Sequence, residues 1–237
     1  MAQICSNVLA ATCNPNAIRP DLAKAAPGSG WIARQIGRWL FAPKRRNAAM
    51  SLSLTPWMPN AFNPFRVESS DASFIDACYL KAPAPRENAL PVLITHGWRE
   101  TKASYRHVAE WFACRGHDVI LIDLRGHGRS GGDAVTFGVR ERHDIRLVID
   151  HAISQGWIAD RVLSFGHSLG GSTMLLHAAM DDRVAGVIAS CPFADIRTAI
   201  RSFHRLWAPW VNLDWAMRGI EDAAHTLGFD LDEASPR

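Results

Sequence analysis

The sequence predicts an α/β fold, a mostly parallel sheet flanked by helices, on three observations. Four short apolar runs, Pro91 to Thr95, Asp118 to Asp123, Arg161 to Phe165 and Val184 to Ser190, have the length and continuity of strands buried on both faces. Helical periods lie between them, with Tyr105, Val108, Trp111 and Phe112 on one stripe and Ile145, Val148, Ile149 and Ala152 on another. The third run passes directly into Gly166-His167-Ser168-Leu169-Gly170 and then into the helix-like stretch Gly171 to Met180. Strand and helix therefore alternate, which is the signature of parallel pairing.

A chain of 237 residues, 48% hydrophobic, is long enough to bury one large core. Residues 1–60 read as an extension, because Pro27-Gly28-Ser29-Gly30 and Pro56-Trp57-Met58-Pro59-Asn60 interrupt any regular pattern. Within it Trp31 to Phe41 is predicted helical, with Ile32, Ile36, Trp39 and Leu40 on one stripe and Arg34 and Arg38 pointing away. Followed by Lys44-Arg45-Arg46, this 31–46 segment could make weak contact with an anionic membrane surface. The plainer reading is a helix docked on the domain with its basic face in water. Residues 61–192 form the expected core, opening with a hairpin of Phe65 to Ser69 and Ser73 to Leu80 around Ser70-Asp71-Ala72. Residues 193–237 are expected to be a helical, lid-like segment and tail.

Charge and cysteine usage exclude several classes. The first fifty residues hold seven basic side chains against one acid, Asp21, and the remainder is mildly acidic, so nothing points to nucleic acid. The five cysteines (Cys5, Cys13, Cys78, Cys114 and Cys191) are odd in number, scattered, and form no C-x-x-C pair. Free thiols in a reducing compartment follow. No apolar run approaches a membrane span and the start lacks a secretory leader, so a cytoplasmic chain, at most peripheral to a membrane, is expected. The histidines are dispersed and no acidic cluster has metal spacing, so neither metal nor organic cofactor is expected.

Ser168 is the candidate nucleophile. Glycines two positions to each side allow a strained turn that lifts its hydroxyl above the sheet, at the positive end of the following helix. Acyl transfer also needs donors for the developing oxyanion. The N–H of Leu169, directly after the serine, is one candidate, and the N–H of Trp98, in Thr95-His96-Gly97-Trp98 after the first buried run, is the other.

At these residues the chain resembles the α/β-hydrolase superfamily, and more closely its serine-hydrolase branch of serine aminopeptidase-like and monoacylglycerol lipase-like enzymes. The matching text is His96-Gly97-Trp98, Asp123 through Gly131 (Asp-Leu-Arg-Gly-His-Gly-Arg-Ser-Gly), Thr136-Phe137-Gly138 with Glu141 and Asp144, and Gly166 through Gly171. The likeness runs from roughly Phe65 to Arg201. It implies an α/β-hydrolase fold, Ser168 as nucleophile, Trp98 and Leu169 as oxyanion donors, and mainly structural roles for His96, His167 and the Arg125 to Gly131 loop. Haloalkane dehalogenase and epoxide hydrolase chemistry is disfavoured, since in those enzymes aspartate stands where this chain has Ser168.

The resemblance also implies an acid after a seventh strand and a histidine after an eighth, and no further buried run follows Ser190. The last two strands are therefore expected to be missing. Asp195, His204 and His225 are the residual acid and base candidates. Asp195 has a competing reading as the cap of a helix beginning near Ile196, His204 as part of a lid helix, and His225 as part of the tail. The functional expectation is a serine hydrolase of small-molecule esters or amides, weak or inactive as it stands and prone to self-association. A non-catalytic scaffold or an acyltransferase using the same serine is the alternative.

Overall fold

A computed structural model of the chain describes residues 30–44, 62–71 and 73–236. Cys5, Cys13, the pair Arg45-Arg46, the Pro-rich stretch 56–60 and Ala72 of the expected hairpin turn lie outside the described residues.

Six strands form one sheet: β1 (Phe62–Glu68), β2 (Phe74–Leu80), β3 (Val92–Thr95), β4 (Val119–Ile122), β5 (Val162–His167) and β6 (Val184–Ser190), in spatial order β1-β2-β4-β3-β5-β6. The expected hairpin is present, with β1 antiparallel to β2 in a register that sets Phe65 opposite Ala77. β2 runs antiparallel to β4, and β4, β3, β5 and β6 are mutually parallel. Every residue of β3 and β4 is buried, which is why both read as unbroken apolar runs.

Helices cover the sheet: α1 (Trp31–Phe41), α2 (Arg106–Ala113), α3 (Glu141–Ser154), α4 (Leu169–Ala178), α5 (Ile196–Trp207) and α6 (Leu213–Thr226). The stripe read in α3 is the buried one, since Ile145, Val148, Ile149 and Ala152 all lie in the core. The stripe read in α2 needs correction, because Trp111 is exposed and carries the Arg115 guanidinium 3.7 Å above its ring, while Ala109 and Phe112 are buried. Arginine stacking supplies that indole with a partner the apolar period alone does not foresee.

α1 packs on only part of the stripe read for it, since Ile36 and Leu40 are partly buried against the core. Ala33, Gly37 and Phe41 are the buried positions, and Ile32 and Trp39 point outward. The cause is a close crossing with α6: a methyl group on Gly37 would lie 2.5 Å from the carbonyl oxygen of Gly219 and 2.6 Å from Cβ of Ala223. Small residues at i and i+4 on both helices let the backbones touch, and Ile32 and Trp39 lie off this contact. At its end Phe41 is fully buried against Phe137 and Phe229, ring centroids 6.0 and 5.3 Å apart. The stretch read as an extension outside the core thus contributes Phe41 to it, and the Lys44 N–H donates to Gly126 O of the loop after β4.

Candidate active site

The chain leaves β3 on one side for β4 and on the other, later, for β5, so the carboxyl ends of β3 and β5 flank the switch point at which open α/β sheets bind ligands. Register places Thr95 beside Gly166 there. The two segments singled out in the sequence, 96–98 and 166–170, therefore emerge side by side.

Ser168 sits between β5 and α4 with φ 49° and ψ −114°, a left-handed conformation that a non-glycine residue adopts only when its surroundings impose it. Two contacts impose it. The Ser168 N–H donates to Ser190 O at 2.8 Å, tying the turn to the end of β6. A side chain at Gly170 would lie 2.6 Å from His96 O and 2.8 Å from Thr95 O, and one at Gly166 would strike the backbone of Gly170 and Gly171. Only glycine fits these positions. The same closeness puts the start of α4 directly against the loop that carries Trp98. Among the described residues, neither the Leu169 N–H, next in the chain to a half-buried Ser168, nor the Trp98 N–H has a hydrogen-bond acceptor. Unfilled donors at a helix N-terminus suit a developing negative charge.

A buried polar frame holds the loop in place. Glu100 accepts the Gly97 N–H at 2.8 Å and the Tyr105 hydroxyl at 3.0 Å. His96 is fully buried; its Nδ1 meets Gly97 O at 2.8 Å and its Nε2 accepts the Leu124 N–H at 3.1 Å, so it carries its proton on Nδ1. Burial lowers the pKa of His96, and drives that of His127 down to about 3, so both imidazoles stay neutral. Asp123 accepts the backbone N–H of Lys102 and of Arg129. Its carboxylate also meets the Lys102 ammonium at 2.6 Å, while the other carboxylate on that ammonium is Asp76. Arg125 makes two parallel bonds to Asp144, at 2.7 and 2.8 Å, and reaches Ser69 and Asp71 on the hairpin turn. Glu141 accepts from Thr136 N–H, Thr136 hydroxyl and Gly138 N–H. Asp123, Arg125, Glu141 and Asp144 of the recognised motifs thus all have structural partners within this frame.

Lys102 was missed in the sequence. Its partners lie 26 and 21 positions away, and no local pattern marks a lysine as buried.

Asp195 caps α5, accepting the Arg197 N–H at 2.9 Å and the Thr198 hydroxyl at 3.2 Å. His204 Nε2 meets Val211 O at 2.7 Å, and His225 lies half-buried in the last turn of α6. His167 Nδ1 meets Ser190 Oγ at 3.2 Å. Among the described residues no imidazole hydrogen-bonds Ser168, and no group of three or more His, Cys, Asp or Glu could hold a metal ion.

The family described as serine aminopeptidase, S33 matches residues 86–226. The chain is similar to the uncharacterized protein YqkD of Bacillus subtilis, 28% identical over 157 residues that cover 65% of this chain and 51% of that one. It is also similar to the monoacylglycerol lipase of Mycolicibacterium smegmatis, 34% identical over 90 residues that cover 37% and 32% of the two chains. Among solved structures it is similar to the Pyrococcus furiosus esterase Pf2001, with a TM-score of 0.58 at 18% identity over 69% of this chain and 66% of that one, a likeness of fold. The chain spans about half the length, or less, of these curated relatives.

Proposed function

We propose, for a chain that belongs to the serine aminopeptidase S33 family and has the α/β-hydrolase fold, that Ser168 is the nucleophile of an ester or amide hydrolase. The observation that carries this reading is the left-handed Ser168 on a strand-to-helix turn that only glycine neighbours permit. Its Oγ would add to the substrate carbonyl carbon while the N–H groups of Trp98 and Leu169 hold the oxyanion. Collapse of that adduct would expel the alcohol or amine and leave an acyl-serine for water to cleave.

The serine proton needs an acceptor, and none of Asp195, His204 and His225 hydrogen-bonds Ser168. Turnover by this chain is accordingly expected to be slow. A site with its oxyanion donors but without its base retains about 10³ to 10⁴ over water, several orders short of a complete triad. The same observation favours one second reading, a non-catalytic scaffold. Three unpaired cysteines among the described residues, Cys78, Cys114 and Cys191, support a reducing compartment such as the cytoplasm. Among those residues no helix is long and apolar enough to cross a membrane.

The test compares p-nitrophenyl acetate turnover and fluorophosphonate labelling for the wild type and for Ser168→Ala, His204→Ala and His225→Ala. Slow, Ser168-dependent labelling that both histidine variants retain is the expected result. No labelling above Ser168→Ala favours the scaffold. Fast turnover lost in one histidine variant would show a base that these contacts do not reveal.

A further inference from the structure

The close crossing of α1 with α6 leaves an unusual outer face. Because Ala33 and Gly37 make that crossing while Ile36 and Leu40 pack against the core, the apolar residues turned to solvent are Trp31, 69% exposed, Trp39, 57% exposed, and Ile32 between these values. Ile32 and Trp39 are seven residues apart and share one stripe; Trp31 and Arg38, also seven apart, share the next. The belt continues off the helix. Trp39 meets Trp98 edge to face at 5.7 Å, the Lys44 ammonium lies 4.6 Å from the ring of Trp39 and 5.3 Å from that of Trp98, and exposed Arg99 lies 5.6 Å from Trp98.

The charged side chains placed on this belt are Arg38, Lys44 and Arg99, all basic. Tryptophan prefers the boundary between hydrocarbon and water, and lysine and arginine beside it meet anionic headgroups. A second copy of this face would bring like charges together, so self-pairing is disfavoured.

We propose that the outer face of α1, with Trp98 and Arg99, docks on an anionic lipid surface and so sets the oxyanion loop at the membrane plane. The docking stands apart from the chemistry at Ser168, and its measurement does not use activity.

The full chain is floated with vesicles of phosphatidylcholine alone and of phosphatidylcholine mixed with phosphatidylglycerol. It is expected to float with the anionic vesicles and to be released by salt. Arg38→Glu should weaken the partition about fivefold or more, the factor that ~1 kcal/mol per basic side chain represents. Trp31→Ser with Ile32→Ser should weaken it about tenfold or more, by loss of buried apolar area. Leu206→Ser with Trp210→Ser, on the other exposed apolar region, should leave flotation unchanged. Circular dichroism shows that each variant is folded, and Arg38→Glu, at an exposed position, gives a readout even where the tryptophan variant does not fold. Absence of flotation, equal flotation on both vesicles, or flotation lost only in the Leu206 and Trp210 variant overturns the proposal. So does a vesicle-free oligomer that Trp31→Ser with Ile32→Ser dissolves.

Discussion

Strands β3 and β6 are alike in sequence, Val-Leu-Ile-Thr and Val-Ala-Gly-Val-Ile-Ala-Ser, and opposite in surroundings. All four residues of β3 are buried between β4 and β5, whereas no residue of β6 is buried and Ile188 is about half exposed. Among the described residues β6 pairs only with β5, and beyond it Leu206 is 77% and Trp210 81% exposed. Apolar composition marks a strand, but burial depends on what lies beside it. The comparison bears on chemistry, because the serine turn and both proposed oxyanion donors rest on the closed side. The open side begins at Ser190, the residue that fixes the Ser168 N–H. The Ser168 turn thus rests on the closed side, and among the described residues no imidazole hydrogen-bonds it from either side.

The closed side should be intolerant of change. Lys102→Met leaves the carboxylates of Asp76 and Asp123 buried without their ammonium and should cost about 3–5 kcal/mol in urea unfolding, the usual price of breaking a buried ion pair. A loss below about 1 kcal/mol would mean that water reaches the cluster, and that the frame is looser than its burial indicates.

Acid should act on the same side. Burial lowers His127 to about 3 and His177 to about 4 from an ordinary value near 6.5. As pH falls below about 6.5 the unfolded chain takes up protons that the native imidazoles refuse, so stability declines until the native groups themselves titrate near 4. One unit of depression is worth ~1.4 kcal/mol, so even a single unit at each site makes the chain about 3 kcal/mol less stable toward pH 4 than at pH 7. Unfolding midpoints that stay level between pH 7 and 5 would contradict this, and His177→Gln should flatten the slope.

Gly170→Ala tests the junction of the turn with the β3 loop. Its Cβ would meet two carbonyl oxygens, and overpacking of this kind typically costs about 1–3 kcal/mol. Fluorophosphonate labelling should fall further than stability does, since pushing α4 off the β3 loop moves the Leu169 N–H away from that of Trp98, the two proposed oxyanion donors. Equal losses would place the effect in folding alone.

What was legible in the sequence follows the same division between local and distant causes. The strands were readable to within a few residues at each end, and β6 at its own bounds, because a buried strand needs a continuous apolar run and shows it. The turn at Ser168 was readable because its glycines are two positions away. The α1 contact was not, since Ala33 and Gly37 carry no amphipathic signal and meet Gly219 and Ala223 across the whole chain. Asp195 was ambiguous for a related reason, because a cap and a catalytic acid look alike until the Arg197 N–H is seen in place.

The smallest stability effect is expected on the open side, where Leu206→Ser with Trp210→Ser should change unfolding by no more than about 0.5 kcal/mol, as surface substitutions usually do. Neither side chain has much to lose, being 77% and 81% exposed already. Their effect should appear instead in association, because exposed apolar side chains, like a strand edge unpaired among the described residues, invite contact with another chain. Sedimentation velocity of the wild type should show a concentration-dependent oligomer, and the double variant should shift it toward monomer without altering the unfolding midpoint. The pairing of an unchanged midpoint with changed association is what separates an open flank from a closed core. A monomeric wild type would mean that the edge of β6 is guarded, and a variant that loses several kcal/mol would mean that α5 is packed more closely than its exposure indicates.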